Sequence, residues 1–363
     1  MDIHELFFQL IQVAIGTRIC LSRTPDENEW GELYGMAKKQ SLVGVCFAGV
    51  QNLTINHPSS TIHLSELLRL QWMGMTVKIQ QRNELMNGYT RNALEYFRDK
   101  GFACCVLKGQ GIAKLYHDLA DLRQSGDVDV WLDCSRKQLY ELSRKELGKV
   151  EGKTYHHIHY DMYKETEVEA HIYPSFLSSP RRNRALHEFC ELNKPKTGGE
   201  DTPSLAFNRV FILLHCYRHF CGHGIGLRQL LDYYFVLCTS YQNEDEYESL
   251  KTESMMWIDR MGMSKFCKAT MWLMKTVFGL TDEYLLGEPD PENGRFLLEE
   301  VMRCGNFGHG DERYRISNRA WKRYLYHIKR DICTMRICPH ESLWDPVFSM
   351  SQFVAKNLVW NNM

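Results

Sequence analysis

The sequence predicts an α+β chain: a mixed core of strands and helices at residues 96–180, set between a helical region at 1–95 and another at 181–363. Three observations predict it. Apolar residues recur at helical spacing through both flanks. Strand-like runs are confined to 102–107, 127–132, 155–163 and 167–173. Within them, Asp127-Val128-Asp129-Val130-Trp131-Leu132 alternates carboxylate with apolar side chain, the period of a half-buried strand.

The first region reads as helices throughout. Leu6, Phe7, Leu10, Ile11, Ala14 and Ile15 fall on one helical face, and Pro25-Asp26-Glu27-Asn28 is loop punctuation. A long helix starts at residue 63 or 64. It runs through Trp72, Met75, Ile79, Leu85 and Tyr89 to Phe97, where Lys100-Gly101 stops it. Nothing here has catalytic spacing.

The core opens with the apolar run 102–107. Lys108-Gly109-Gln110-Gly111 breaks it, and Ile112 to His117 reads as the first turns of a helix. After a polar loop comes the Asp127–Leu132 strand. Side chains two apart on a strand share a face, so Asp127 and Asp129 stand side by side, ~6.6–7 Å apart along the strand. Two such carboxylates form a hard oxygen site suited to Mg²⁺. A helix over 135–147 follows. Two strand-like runs then flank a hairpin turn at Lys164-Glu165-Thr166. In the second run Glu167, Glu169 and His171 alternate with Val168, Ala170 and Ile172, so one polar face can point at Asp127 and Asp129. His157 and His159 also share a face. That spacing suits zinc, but no further ligand lies at the expected distance in sequence, and the pair reads as a hairpin face.

The linker 195–203 leads to an apolar helix over 204–220, through Leu205, Val210, Leu213, Leu214 and Tyr217. His215 and His219 lie one turn apart on it. No Glu completes an H-E-x-x-H pattern, and Gly222 and Gly224 end the helix before His223 joins that face. Arg228 and Asp232, at i and i+4, predict a pair. The Met and Trp stripe of 244–280 reads as core. The one basic patch combines Arg313, Arg315, Arg319, Lys322, Arg323, Lys329 and Arg330 with Tyr314, Trp321, Tyr324 and Tyr326. It reads as a surface helix burying Trp321, Leu325 and Ile328. A single-stranded nucleic acid or a membrane surface is the alternative. The apolar tail after it is expected to dock on the body.

Composition narrows the classes. Of 363 residues, 44% are hydrophobic and 25% charged, the balance of an ordinary globular protein. A formal net charge of −1 sets up no global field for a polynucleotide, so nucleic acid is not the favoured partner. The 13 cysteines are odd in number and have no framework spacing, which reads as reduced thiols in the cytoplasm. Residues 1–5 carry acids and lack a basic n-region, and no apolar run reaches the ~20 residues of a membrane span.

One stretch carries a resemblance. Lys108-Gly109 at a strand end, Arg123, then Gly126-Asp127-Val128-Asp129, resembles the "KG…R..GDiDlll" pattern of the uncharacterised nucleotidyltransferase family, within the DNA polymerase β-like superfamily. Val168-Glu169-Ala170-His171 resembles its "iElH" element. Leu227 to Tyr233 resembles an element of its helical part, where this helix and the histidine-bearing one lie behind or beside the active site. Lys108-Gly109 stands where the superfamily has Gly-Ser.

The resemblance covers residues 100–240 and implies a small mixed β-sheet nucleotidyltransferase core with helical flanks. It implies nucleotidyl transfer from an NTP to an acceptor hydroxyl on a small molecule, sugar, protein or RNA end. Asp127, Asp129 and Glu169 are the implied catalytic carboxylates and ligands of two Mg²⁺ ions. Lys108, Gly109, Arg123 and Gly126 are the implied nucleotide-binding residues, and His171 is a possible substrate contact. Three carboxylates so close together predict that at least one has a raised pKa. The alternative is a nucleotide-binding regulatory pseudoenzyme or a nucleic-acid-binding accessory protein.

Overall fold

A computed structural model describes residues 2–56, 64–147, 154–239, 244–308, 311, 313 and 320–358. Helices α1 (Ile3–Ile15), α2 (Glu27–Lys39), α3 (Val43–Asn56) and α4 (Glu66–Asp99) come first. The loop expected at 25–28 is a helix start: Asp26 and Glu29 form a reciprocal capping box at the head of α2. The long helix forms, starting at Glu66, but Leu85 of its expected stripe is exposed. It buries Trp72, Ile79, Met86, Ala93, Leu94 and Phe97, and Lys100 and Gly101 end it, the latter at φ 86°.

The core follows as β1 (Cys104–Val106), α5 (Lys108–Ala113), β2 (Val128–Leu132), α6 (Arg136–Leu147), β3 (His157–Tyr160) and β4 (Val168–His171). The four strands form one mixed sheet in the order β1-β2-β4-β3, with β2 and β4 parallel and the outer pairs antiparallel. The strands are shorter than the apolar runs suggested. The expected helix from Ile112 to His117 breaks into the end of α5 and a 3₁₀ run, Lys114–Leu122, kinked at His117 with φ 50°.

The C-terminal region is all helix: α7 (Pro180–Leu192), α8 (Leu205–Gly222), α9 (Leu227–Thr239), α10 (Glu244–Arg260), α11 (Ser264–Phe278), α12 (Pro291–Cys304), α13 (Ala320–Thr334) and α14 (Pro339–Leu358). The architecture is therefore α+β, a small mixed sheet with helical flanks.

The sheet has two unlike faces. Val128, Val130, Leu132, Ile158, Tyr160, Val168 and Ala170 pack with Met86, Leu94 and Phe97 of α4 and Leu139 of α6 in an apolar cluster. The other face turns to the C-terminal helices. There Trp131 stacks on Phe207 of α8 with ring centroids 5.2 Å apart, inside a core that draws residues from Leu6 to Cys338. One core thus ties the N-terminal helices to the C-terminal ones around this face.

Two expectations for the C-terminal end are corrected. Arg330 is buried, donating to the Phe220 carbonyl and facing Glu300 at 3.2 Å, and Arg313 pairs with Glu300 and Asp311. Neither is a free surface cation. Leu325 is 46% exposed rather than buried. Tyr314, Arg315 and Arg319, and the side chains of Trp321, Lys322 and Arg323, lie outside the described residues. The tail does dock: Phe348 of α14 stacks on Phe176, and Glu341 accepts from the Ser178 amide at 2.8 Å. All 13 cysteines are free thiols, and no helix among the described residues is long and apolar enough to cross a membrane.

Candidate active site

The register of the central strands builds the site. Asp129 on β2 lies opposite Glu169 on its parallel neighbour β4, and Trp131 opposite His171. Antiparallel pairing then sets His159 beside Glu169 and His157 beside His171. With a side-chain period of two, all these polar groups share the face opposite the apolar cluster. Asp129, 1% exposed, is buried there.

The turn after β1 delivers the opposing charge. The Leu107 amide donates to the Asp129 carbonyl at 2.9 Å, so the ladder continues one residue past the strand. The chain then bends through two left-handed residues, Lys108 at φ 30° and Gly109 at φ 44°. For a lysine that backbone is strained, at a cost of order 1–3 kcal/mol. The bend places Lys108 Nζ 2.9 Å from Asp129 Oδ2 and 3.6 Å from Asp127 Oδ2. Gly109 takes the more severe conformation, ψ −119°, and an added Cβ would sit 3.6 Å from the Asp127 carbonyl.

On the other side His171 Nε2 bridges Asp129 Oδ1 at 2.9 Å and Glu169 Oε2 at 3.2 Å. Its role is therefore first of all to hold the two carboxylates. Three carboxylates face two cations, leaving a surplus of one negative charge.

These contacts set the protonation states. Burial disfavours a charged Lys108, yet Asp127, Asp129 and Glu169 together hold its pKa above the usual lysine value. Burial likewise opposes a charged His171, but Asp129 and Glu169 raise its pKa to about 9. Lys108 pulls Asp127 below the usual carboxylate range. Glu169 is also lowered: burial would raise it, but His171 and Lys108 prevail. Asp129 alone moves up, through burial and the neighbouring Asp127 charge. The raised carboxylate that crowding predicts is Asp129, while the other two are relieved by cations of the chain itself.

Arg123 stands elsewhere. Its Nε and Nη2 grip Asp232 of α9 at 2.6 and 2.8 Å, Tyr116 donates to the same carboxylate at 2.7 Å, and all three side chains are buried. Arg123, expected at the phosphates, thus has two of its donor nitrogens on Asp232. The expected Arg228–Asp232 pair acts through charge rather than contact, because the bidentate fork of Arg123, just past the 3₁₀ segment, takes the Asp232 oxygens. Arg228 donates to the Gln124 carbonyl at 3.2 Å and lies over the Phe307 ring at 5.7 Å. Its charge acts on Asp232 and, more weakly, on Asp127.

Gly126 and Asp127 open onto a groove of about 710 Å³, walled by Arg82, Tyr163, Lys164, Glu167 and Phe307. Its floor is tied down where Thr166 donates to the Gly126 carbonyl at 3.0 Å. Helix α8 closes the far side. His219 meets Phe307 edge-on at 5.0 Å, and burial, reinforced by the Lys108 charge, pushes its pKa down to about 3. Sequence spacing marked His219 only as a failed zinc motif. Its place beside the site comes from the packing of α8 over the sheet.

The chain matches, over residues 26–279, the model of a family described as an uncharacterised nucleotidyltransferase. The chain belongs to this family. No curated protein and no solved structure matches it. The match reaches well beyond the expected 100–240 and takes in α2, α3 and α4, of which α4 covers the apolar face of the sheet.

Proposed function

We propose that the protein is a Mg²⁺-dependent transferase that moves a nucleotidyl group from an NTP to an acceptor hydroxyl, with Asp127, Asp129 and Glu169 as its metal-binding carboxylates. The observation that carries this reading is the position of Lys108. An ammonium drawn between Asp129 and Asp127 is a stand-in cation, and it marks where these oxygens concentrate negative potential. The donor set, carboxylate oxygens on a rigid strand pair, fits a hard divalent ion. Bound there, Mg²⁺ would neutralise phosphate charge and activate the acceptor hydroxyl.

The chain's own residues supply the rest. Lys108 is the cation able to leave Asp129 for a phosphate, and Arg228, whose charge reaches Asp127, is a second candidate beside Arg123. Gly109 and Gly126 leave room for the triphosphate at the rim. The groove beside Asp127 offers Arg82 and Lys164 to the substrate. His171 fixes Asp129 and Glu169 for ligation. With its pKa held low, Glu169 is a weak base and is better suited to ligation than to taking the acceptor proton.

The experiment is pyrophosphate release with each NTP and a panel of acceptors, with and without Mg²⁺, in wild type and Asp129→Asn. Metal-dependent release lost in the variant supports the reading. NTP binding without turnover on any acceptor favours the regulatory reading, in which Lys108 keeps its place between the aspartates. Absence of both sinks the assignment.

A further inference from the structure

The edge of the same sheet face carries two further donors, His157 and His159, that the proposed transfer does not use. β3 is the edge strand, and His157 and His159 project from it on the Glu169 side. His157 Nδ1 lies 3.5 Å from Glu169 Oε2, and His159 Nε2 lies 3.9 Å from Glu169 Oε1. A donor atom from each of the three lies within 4.8 Å of the other two. Ligands about 2.0–2.2 Å from one tetrahedral ion stand roughly 3.3–3.6 Å apart, so small side-chain rotations close this set. His156 Nε2, 3.1 Å from His157 Nδ1, places a fourth nitrogen at hand. Access comes through His159, whose side chain is 37% exposed.

We infer that His157, His159 and Glu169 form a site for a borderline transition ion of the zinc class, and that its occupancy withdraws Glu169 from the neighbouring carboxylate cluster. Imidazole selects zinc-type ions, whereas carboxylate oxygens alone select magnesium, so the two compartments differ in metal preference although they share one side chain. The effect on the reaction is inhibition by zinc, and this part rests on the proposed function. The binding site itself does not.

The experiment therefore has two arms. In the first, the full-length metal-free protein competes with a chromophoric chelator for Zn²⁺, and X-ray absorption reads the ligands. One ion per chain is expected, with nitrogen and oxygen neighbours at about 2.0–2.2 Å. Binding should weaken at least tenfold in His159→Gln and stay within twofold in Asp127→Asn. His159 is the chosen position because its exposure makes the variant tolerable to the fold. Equal affinity in His159→Gln, or loss confined to His219→Gln on α8, overturns the site.

In the second arm, Zn²⁺ is titrated into the Mg²⁺-supported reaction. Inhibition relieved at least tenfold in His159→Gln supports the shared carboxylate, and inhibition unchanged by that variant overturns it. If Mg²⁺ and NTP give no reaction, the proposed function fails, while the first arm still decides the zinc site.

Discussion

Asp129 and Asp232 are both buried carboxylates facing a cation, and they are built for opposite ends. Asp232 is closed: a guanidinium fork and one hydroxyl take its oxygens, the charges of Arg123 and Arg228 both act on it, and its side chain is buried. Asp129 is open-ended: it shares an ammonium, Lys108, with Asp127 and an imidazole, His171, with Glu169, carboxylates outnumber cations around it, and a groove begins at the adjacent Asp127. Burial alone therefore does not distinguish a structural ion pair from a chemical site. The balance of charge, the rigidity of the counter-ion and access do.

The largest expected effect breaks the closed pair. Arg123→Ala leaves Asp232 buried with Tyr116 as its remaining donor, and loss of one partner of a buried pair costs about 3–5 kcal/mol. Urea unfolding should show that loss. The folded fraction should keep its Mg²⁺ and NTP response, since Arg123 does not face the groove. A variant of unchanged stability that has lost nucleotide binding would return Arg123 to the phosphates.

Next comes Asp129→Asn, which should lower pyrophosphate release by about two to three orders of magnitude, as removal of a preorganised charge-stabilising group does. Without metal its stability should be unchanged or slightly higher, because burial and the Asp127 charge already disfavour an ionised Asp129 in the folded chain. A variant with near wild-type turnover would make Asp129 a second Asp232.

These two residues also show what a sequence yields and what it hides. The alternation around Asp127 and Asp129 is local, and its period of two already places both on one face. Glu169 follows from the same alternation on β4. The long α4 was legible because its apolar stripe persists for nine turns' worth of spacing with a Gly at the end. Arg123 was not legible: its partner lies 109 residues away, and only the packing of α9 against the 3₁₀ segment joins them. The Lys108 contact was hidden for a related reason. Sequence places a cation near the aspartates but not the left-handed bend that swings it between them.

Lys108→Ala sharpens the open side of the comparison. Losing one charge-assisted contact to phosphate costs about 1.5–3 kcal/mol, so NTP affinity should fall roughly tenfold to a hundredfold. Mg²⁺ affinity without nucleotide should rise, since the competing ammonium is gone. Isothermal titration with Mg²⁺ alone measures this directly. Equal Mg²⁺ affinity in both proteins would mean that Lys108 and the ion do not contend for the same oxygens.

The last effect comes from a third cluster, intermediate between the two. On α13 and α14, Asp331, Glu341 and Asp345 share Arg218 and Arg330. Carboxylates are in surplus, as around Asp129, but the cations are rigid guanidiniums, as beside Asp232. Burial, then repulsion from Asp345 and Glu341, raises the Asp331 pKa to about 7. An unfolded aspartate titrates near ~3.9, so the folded chain binds this proton more tightly. The stability it contributes is full below that value and is lost as pH rises through about 7. Asp331→Asn removes the dependence. Melting temperatures of wild type and variant should lie close at pH 4 and below, and the variant should melt progressively higher up to pH 8. Parallel curves across that range would show that Asp331 is paired as completely as Asp232, and that surplus charge alone does not make a site.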